Sequence, residues 1–245
     1  MDRRRLRQVA PVVLLAVVAA CGGAPGGSGS TSASPSAGVE ALRYACGEFP
    51  FGPELLTAPQ RNDEDAGTPI AAALRQFLVQ PGIEIDSLPD DGWTLIGESA
   101  RAAEFVTVGD DLGLQVVYLA DNGGWEVTGW GGCRPQVVLA PGLGPAIWEW
   151  GSEGSPGPQT RTFDALVTEM ECASGQSSEG RVVGPQVIRT NDQVLVTFAV
   201  RSLGGGDCPS NPSTRVPVDL GEPLGDRDLL DAGELPFRDP TVPRF

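Results

Sequence analysis

Two glutamates, Glu169 and Glu171 in the stretch TEMEC, come closest to a catalytic spacing. Residues two apart on a strand lie roughly 6.6–6.8 Å apart, inside the span of paired glycosidase carboxyls. Yet both project from one face of the strand predicted there, whereas a glycosidase pair flanks its bond from opposite sides. The other reading is a solvated strand face, or partners for arginine. Asn62-Asp63-Glu64-Asp65 and Asp110-Asp111 offer oxygens to calcium. With Asn62 at the first position of an EF-hand loop, Gly67 falls correctly at the sixth, but Ala66 and Ala73 fall where ligands are required. Acidic turns are what remains. Asp226, Asp228 and Asp231 surround Arg227. They can hold a cation or guanidinium ligand, or form a turn and strand in which Arg227 pairs with a nearby carboxylate. Trp148 and Trp150 share a strand face, and Trp125 and Trp130 flank Val127. Aromatic faces stack on sugar rings, so these four form a candidate ligand platform; the same side chains also build cores. Gly142-Leu143-Gly144 lacks the third glycine of a dinucleotide fingerprint and reads as linker.

What is missing narrows the chemistry further. The chain has no His, and all 17 basic residues are Arg. That removes Ser-His-Asp triads, Cys-His pairs and the commonest zinc ligand. Without Lys there is no P-loop, Schiff base or Ser-Lys dyad. Carboxylate chemistry, binding or a structural role remain. No catalytic residue, metal or cofactor is assigned. The formal charge of −15 opposes phosphate backbones, so nucleic acid is not an expected partner.

The cysteines place the chain. Arg3, Arg4, Arg5 and Arg7 precede an apolar run, Val9–Ala20, too short for the about 20 residues of a membrane span. A basic start, a short apolar run and small residues at its end describe an export signal over 1–20. Val18-Ala19-Ala20-Cys21 resembles the lipobox of bacterial lipoproteins. The resemblance implies that Cys21 carries a diacylglyceryl group and becomes the first residue of the mature chain. Such a chain is held on the outer face of the cytoplasmic membrane by its lipid. Loss of a leader of net charge +3 takes the formal charge from −15 to −18. Residues 21–38 then read as a Gly/Ser tether with a reach of roughly 20–25 Å.

The body from residue 39 reads as two small domains. In 39–140 an α+β domain is expected: a helix capped by Thr68, with Ile70, Leu74, Phe77 and Leu78 on one face and Pro81-Gly82 ending it. The helix packs on an antiparallel meander of strands at 93–98, 104–108, 114–120 and 125–130. DNGG (121–124) turns the last hairpin. LAPGLGPA (139–146) reads as the linker. The second domain, 141–245, reads as all-β and sandwich-like or a partial barrel. Its strands are expected at 147–150, 163–172, 186–190, 193–201, 215–220 and 229–230, with a Pro-rich extended tail. The stretches ECASGQSSEGR, VLVTFAV, CPSNP and VDLGEPLGDRDLLDAG resemble a module of uncharacterised exported proteins of GC-rich Gram-positive bacteria. That resemblance spans roughly 145–233 and implies fold and location but no activity.

Four cysteines besides Cys21 allow three pairings. Export places them where disulfides persist. Cys46–Cys133 and Cys172–Cys208 are the expected pairs, since each closes within one proposed domain. The functional expectation is a membrane-tethered lipoprotein that binds an envelope protein or glycan without catalysis. A carboxylate-dependent cell-wall glycan enzyme and a structural assembly component are the alternatives.

Overall fold

A computed structural model describes residues 42–80, 88–109 and 113–244. The expected signal segment, Cys21, the expected tether, Pro81-Gly82 and Asp110-Asp111 lie outside the described residues, which all fall in one compact unit, 34–245. The fold is mostly β: a short helix on a four-stranded antiparallel meander, plus a curled six-stranded sheet that forms a half-barrel. No described helix is long and apolar enough to cross a membrane.

The chain enters through a two-residue strand, β1 (Tyr44–Ala45), and 3-10 turns at Pro53–Leu56 and Asp63–Asp65. Helix α1 (Pro69–Leu78) starts where Thr68 Oγ1 accepts the Ala71 amide at 3.1 Å and Pro69 fills the first turn. Ile70, Leu74 and Phe77 are its buried stripe. The meander follows as β2 (Thr94–Glu98), β3 (Ala102–Val108), β4 (Leu114–Asp121) and β5 (Trp125–Cys133), paired in that order. At DNGG, Asp121 Oδ1 accepts the amides of Gly123 at 3.0 Å and Gly124 at 2.9 Å, and Gly123 takes φ +96°. Only glycine holds that angle without strain. The face bearing Ala103, Phe105, Val117 and Leu119 packs under α1 with the buried Trp93. A short strand β6 (Gln136–Val137) pairs with β1.

The second half contributes β7 (Leu143–Trp150), β8 (Thr162–Glu169), β9 (Val182–Arg189), β10 (Gln193–Arg201), β11 (Thr214–Asp219) and β12 (Asp228–Asp231). They order as β11-β8-β7-β10-β12, with β9 on the other edge of β10. All pairs are antiparallel except β10 with β12. Of the two all-β alternatives, the strands take the partial-barrel form: one sheet curls instead of two facing each other. The linker expected at 139–146 is corrected in its second half, because β7 already begins at Leu143 and pairs Gly144 with Val200 and Pro145 with Ala199. Glycine and proline show no alternating pattern, so only backbone pairing reveals this strand.

β10 reads VLVTFAV from 194 to 200 and is buried throughout. Val194, Val196, Phe198 and Val200 join the half-barrel core with Trp148, Phe163 and Val218. Leu195 turns the other way. It belongs to a cluster with Tyr44, Val106, Leu114, Val116 and Leu235, so residues from 39–140 and from 141–245 share one apolar cluster. Tyr44 Oη donates to the Ala232 carbonyl at 2.7 Å inside it. Disulfides join Cys46 to Cys133 and Cys172 to Cys208.

Leu195→Ala removes a fully buried side chain from that shared cluster, and should lower unfolding free energy by about 2–5 kcal/mol in urea titrations. Val242→Ala, at an exposed position, should stay within about 0.5 kcal/mol.

Candidate functional site

The four candidate tryptophans separate by burial. Trp148 is 0 % exposed, lies between Phe163 at 5.3 Å and Phe198 at 6.3 Å, and donates Nε1–H to Val196 O at 3.0 Å. No face is left for a ligand, so Trp148 serves the core. Trp150 shares its strand face, stacks on Phe163 at 4.8 Å and donates to Gly154 O at 2.8 Å, half-buried at the rim. Trp125 packs half-buried against the cluster under α1. Trp130 differs: it is 46 % exposed, its ring tilted at 5.0 Å from Phe77.

A bulge positions Trp130. Strand β5 pairs Gly129 with Tyr118 and Val127 with Leu119, leaving Thr128 as an extra residue. Simple alternation puts residues five apart on opposite faces. The extra residue brings Trp125, Val127 and Trp130 onto the single face that α1 covers. β5 is also the outer strand of the meander. Its open edge is flanked by Gly131 and Gly132, where an added side chain would meet almost nothing. An aromatic face beside open backbone donors and acceptors can stack on a ring and hydrogen-bond its substituents.

The acidic candidates bond to the protein itself. Glu64, in the 62–65 turn, accepts the Gly92 amide at 2.9 Å and the Trp93 amide at 3.1 Å, with its side chain fully buried. Asp63 accepts the Leu95 amide at 2.9 Å, and Asp65 pairs with Arg75. This turn covers the outer edge of β2 instead of forming a calcium loop. Among the described residues no group of three or more His, Cys, Asp or Glu can hold a metal. Arg227 pairs not with its flanking aspartates but with Glu222 at 2.8 Å. Asp226 and Asp228 are exposed and Asp231 is fully buried, so the three do not converge on one ligand.

Glu169 ends the inward row Phe163, Ala165, Val167 of β8 and is buried with them. Arg181 reaches it with both terminal nitrogens, at 2.9 and 2.5 Å, and this bond raises the arginine's own affinity for its proton. Glu171 lies beyond the strand end, folded over Gly144, where a Cβ would collide with its carboxylate. With Glu149, these glutamates line one cleft of about 470 Å³ beside the Cys172–Cys208 bridge. Glu149 accepts the Arg244 amide at 2.9 Å.

Sequence reasoning missed the environment of Asp231. Its carboxylate accepts the amides of Trp148 at 3.1 Å and Gly233 at 3.0 Å, and Arg238 lies at 3.4 Å. Arg238 also donates to Trp148 O. Seven residues separate Asp231 from Arg238, with no local periodicity to link them. Burial pushes the Asp231 carboxyl up to about 6, against the pull of its amide donors and Arg238. Glu104 is a second buried carboxyl, pushed up by burial, with Oε2 unpartnered beside Tyr118. No family model matches the chain, and neither a curated protein nor a solved structure matches it.

Two outcomes follow from these bonds. Arg181→Met leaves Glu169 buried without its partner and should cost about 3–5 kcal/mol, of which Glu169→Met in the same chain should recover a large part; a double-mutant cycle in urea reads it. For Asp231 the folded state holds a proton more tightly than the unfolded chain, whose carboxyl titrates near 3.8. Its contribution is therefore complete below about pH 4 and lost as pH rises through about 6. Relative to Asp231→Asn, wild type should lose on the order of 2–3 kcal/mol between pH 4 and pH 7. A difference that stays flat or grows with pH would contradict this.

Proposed function

We propose that the chain is an extracytoplasmic lipoprotein, anchored through Cys21 on the outer face of the cytoplasmic membrane, whose folded body binds an envelope glycan or protein without turning it over. The observation that carries the binding reading is Trp130, a large aromatic left half-exposed on an open strand edge and braced from below by Phe77. Two disulfides support an oxidising, extracytoplasmic setting. The lipobox-like stretch and the tether behind it support the anchor. Several acyl chains at Cys21 hold a protein stably where one alone does not.

A second reading has an observation of its own. Glu149, Glu169 and Glu171 line one cleft, as a carboxylate-dependent glycan hydrolase requires. Against it, Arg181 grips Glu169 and a backbone amide holds Glu149, so Glu171 alone keeps its carboxylate without such a bond. Inverting and retaining hydrolysis both need two working carboxyls.

Three measurements on the full chain test these statements. Cys21→Ser should shift the protein out of the membrane fraction or leave it unprocessed; unchanged cleavage and membrane retention would overturn the anchor. Trp130→Ala should weaken retention by purified cell-wall glycan at least about tenfold, about 1.4 kcal/mol, with the fold intact by circular dichroism. Release of reducing ends that Glu171→Gln abolishes would instead establish the hydrolase.

A further inference from the structure

The segment 50–61 crosses the face of β2 and β3 and leaves a cleft of about 260 Å³ beneath it. This is just below the about 300–1,000 Å³ of drug-sized ligand sites, and so suits a smaller ligand. Its floor is apolar: Phe51 and Val106 are buried, and Leu95 and Ile96 line it beside them. Its walls are not. Arg43 and Arg61 both line it, while seven of the eleven other described arginines are paired with carboxylates. Arg43 gives one Nη2–H to Pro50 O at 2.9 Å and makes no ion pair among the described residues. The Arg61 side chain is 64 % exposed and pairs with Asp63, Nε to Oδ2 at 3.3 Å. Most of the five donors on each fork remain for another acceptor. Thr107, 2 % exposed, also lines the cleft, and its buried hydroxyl has no hydrogen-bond partner.

We infer that this cleft binds a small amphipathic anion, its apolar body on Phe51 and Val106 and its carboxylate or phosphate held by Arg43 and Arg61. The site is separate from the Trp130 edge and stands whether or not that edge binds glycan. Charge makes the assignment selective. The whole chain carries −15 and attracts cations at long range. At physiological salt that field fades over about 8 Å, so only local groups can invert the preference inside the cleft. Glu54 is the one acidic side chain lining it, and its carboxylate folds back against Gly52.

The test uses the full chain carrying Cys21→Ser, isotopically labelled and followed by amide NMR. The probes are octanoate, octyl phosphate, octan-1-ol and octylamine. Octanoate or octyl phosphate should move the amides of Thr94–Ile96 and Val106–Val108, and the tighter of the two identifies the head group. Arg43→Gln and Arg61→Gln should each weaken that binding about five- to tenfold, and Glu54→Gln should tighten it. Arg101→Gln, the same charge change outside the cleft, should leave it unaltered. Three results would overturn the inference: no shift at these amides at millimolar probe, octanol or octylamine binding as tightly as the anions, or anion binding indifferent to both cleft arginines. Spectra of the free variants show whether each is folded, and Glu54→Gln supplies a change in the opposite direction from the arginine variants.

Discussion

Strand β10 must be covered on both faces, and much of the structure follows from that. Its run from Val194 to Val200 has no polar face to turn to water, as expected of a strand buried on both sides. The half-barrel closes over Val194, Val196, Phe198 and Val200, and the meander with the entering chain closes over Leu195. One edge of β10 pairs with β9. The other is divided, β12 taking residues 193–196 and β7 taking 199–201. Where β12 hands over to β7, Asp231 joins them through the Trp148 amide, and Val196 O receives both the Ala232 amide and the Trp148 indole. Leaving such donors unbonded would cost about 1–3 kcal/mol each, which explains a buried carboxylate in that gap.

The same need to satisfy buried and edge groups accounts for the chemistry of the acidic residues. Glu64 and Asp63 cover the outer edge of β2, Glu169 closes the end of β8 with Arg181, and Asp231 bridges β7 and β12. These are four of the carboxylates that the sequence offers as candidate catalytic or cation-binding groups, and each is bonded within the fold. The fold also leaves open an aromatic ring at a strand edge and two guanidinium groups over an apolar floor. Both features are the basis of the binding roles proposed above.

Much of the architecture is legible in the residues. Thr68-Pro69 and the Ile70, Leu74, Phe77 spacing mark α1; DNGG and its flanking runs mark β4 and β5; VLVTFAV marks β10. The missed elements share a physical cause. The first half of β7 is built of glycine and proline, which carry no alternation, and β1 and β6 are two-residue strands defined only by each other. The curl of the second sheet depends on pairing of β10 with β12 and β7, and of β8 with β11, between residues 35 to 58 apart, which local pattern does not encode. At the site, a tryptophan's type is visible but its burial is not: Trp148 and Trp130 look alike in sequence, and only the bulge at Thr128 and the ring of Phe77 distinguish them. The Arg43–Arg61 cleft joins segments with no shared motif.

If β10 holds both sheets through a common cluster, the meander cannot open while the half-barrel stays closed. Native-state hydrogen exchange reads this directly. The amides of Val116 and Val117 in β4 and of Leu195 and Val196 in β10 should exchange with the same opening free energy, equal to that of global unfolding. Exchange of the β4 amides at an opening free energy several kcal/mol below that of β10 would contradict it, and would show two bodies that merely touch.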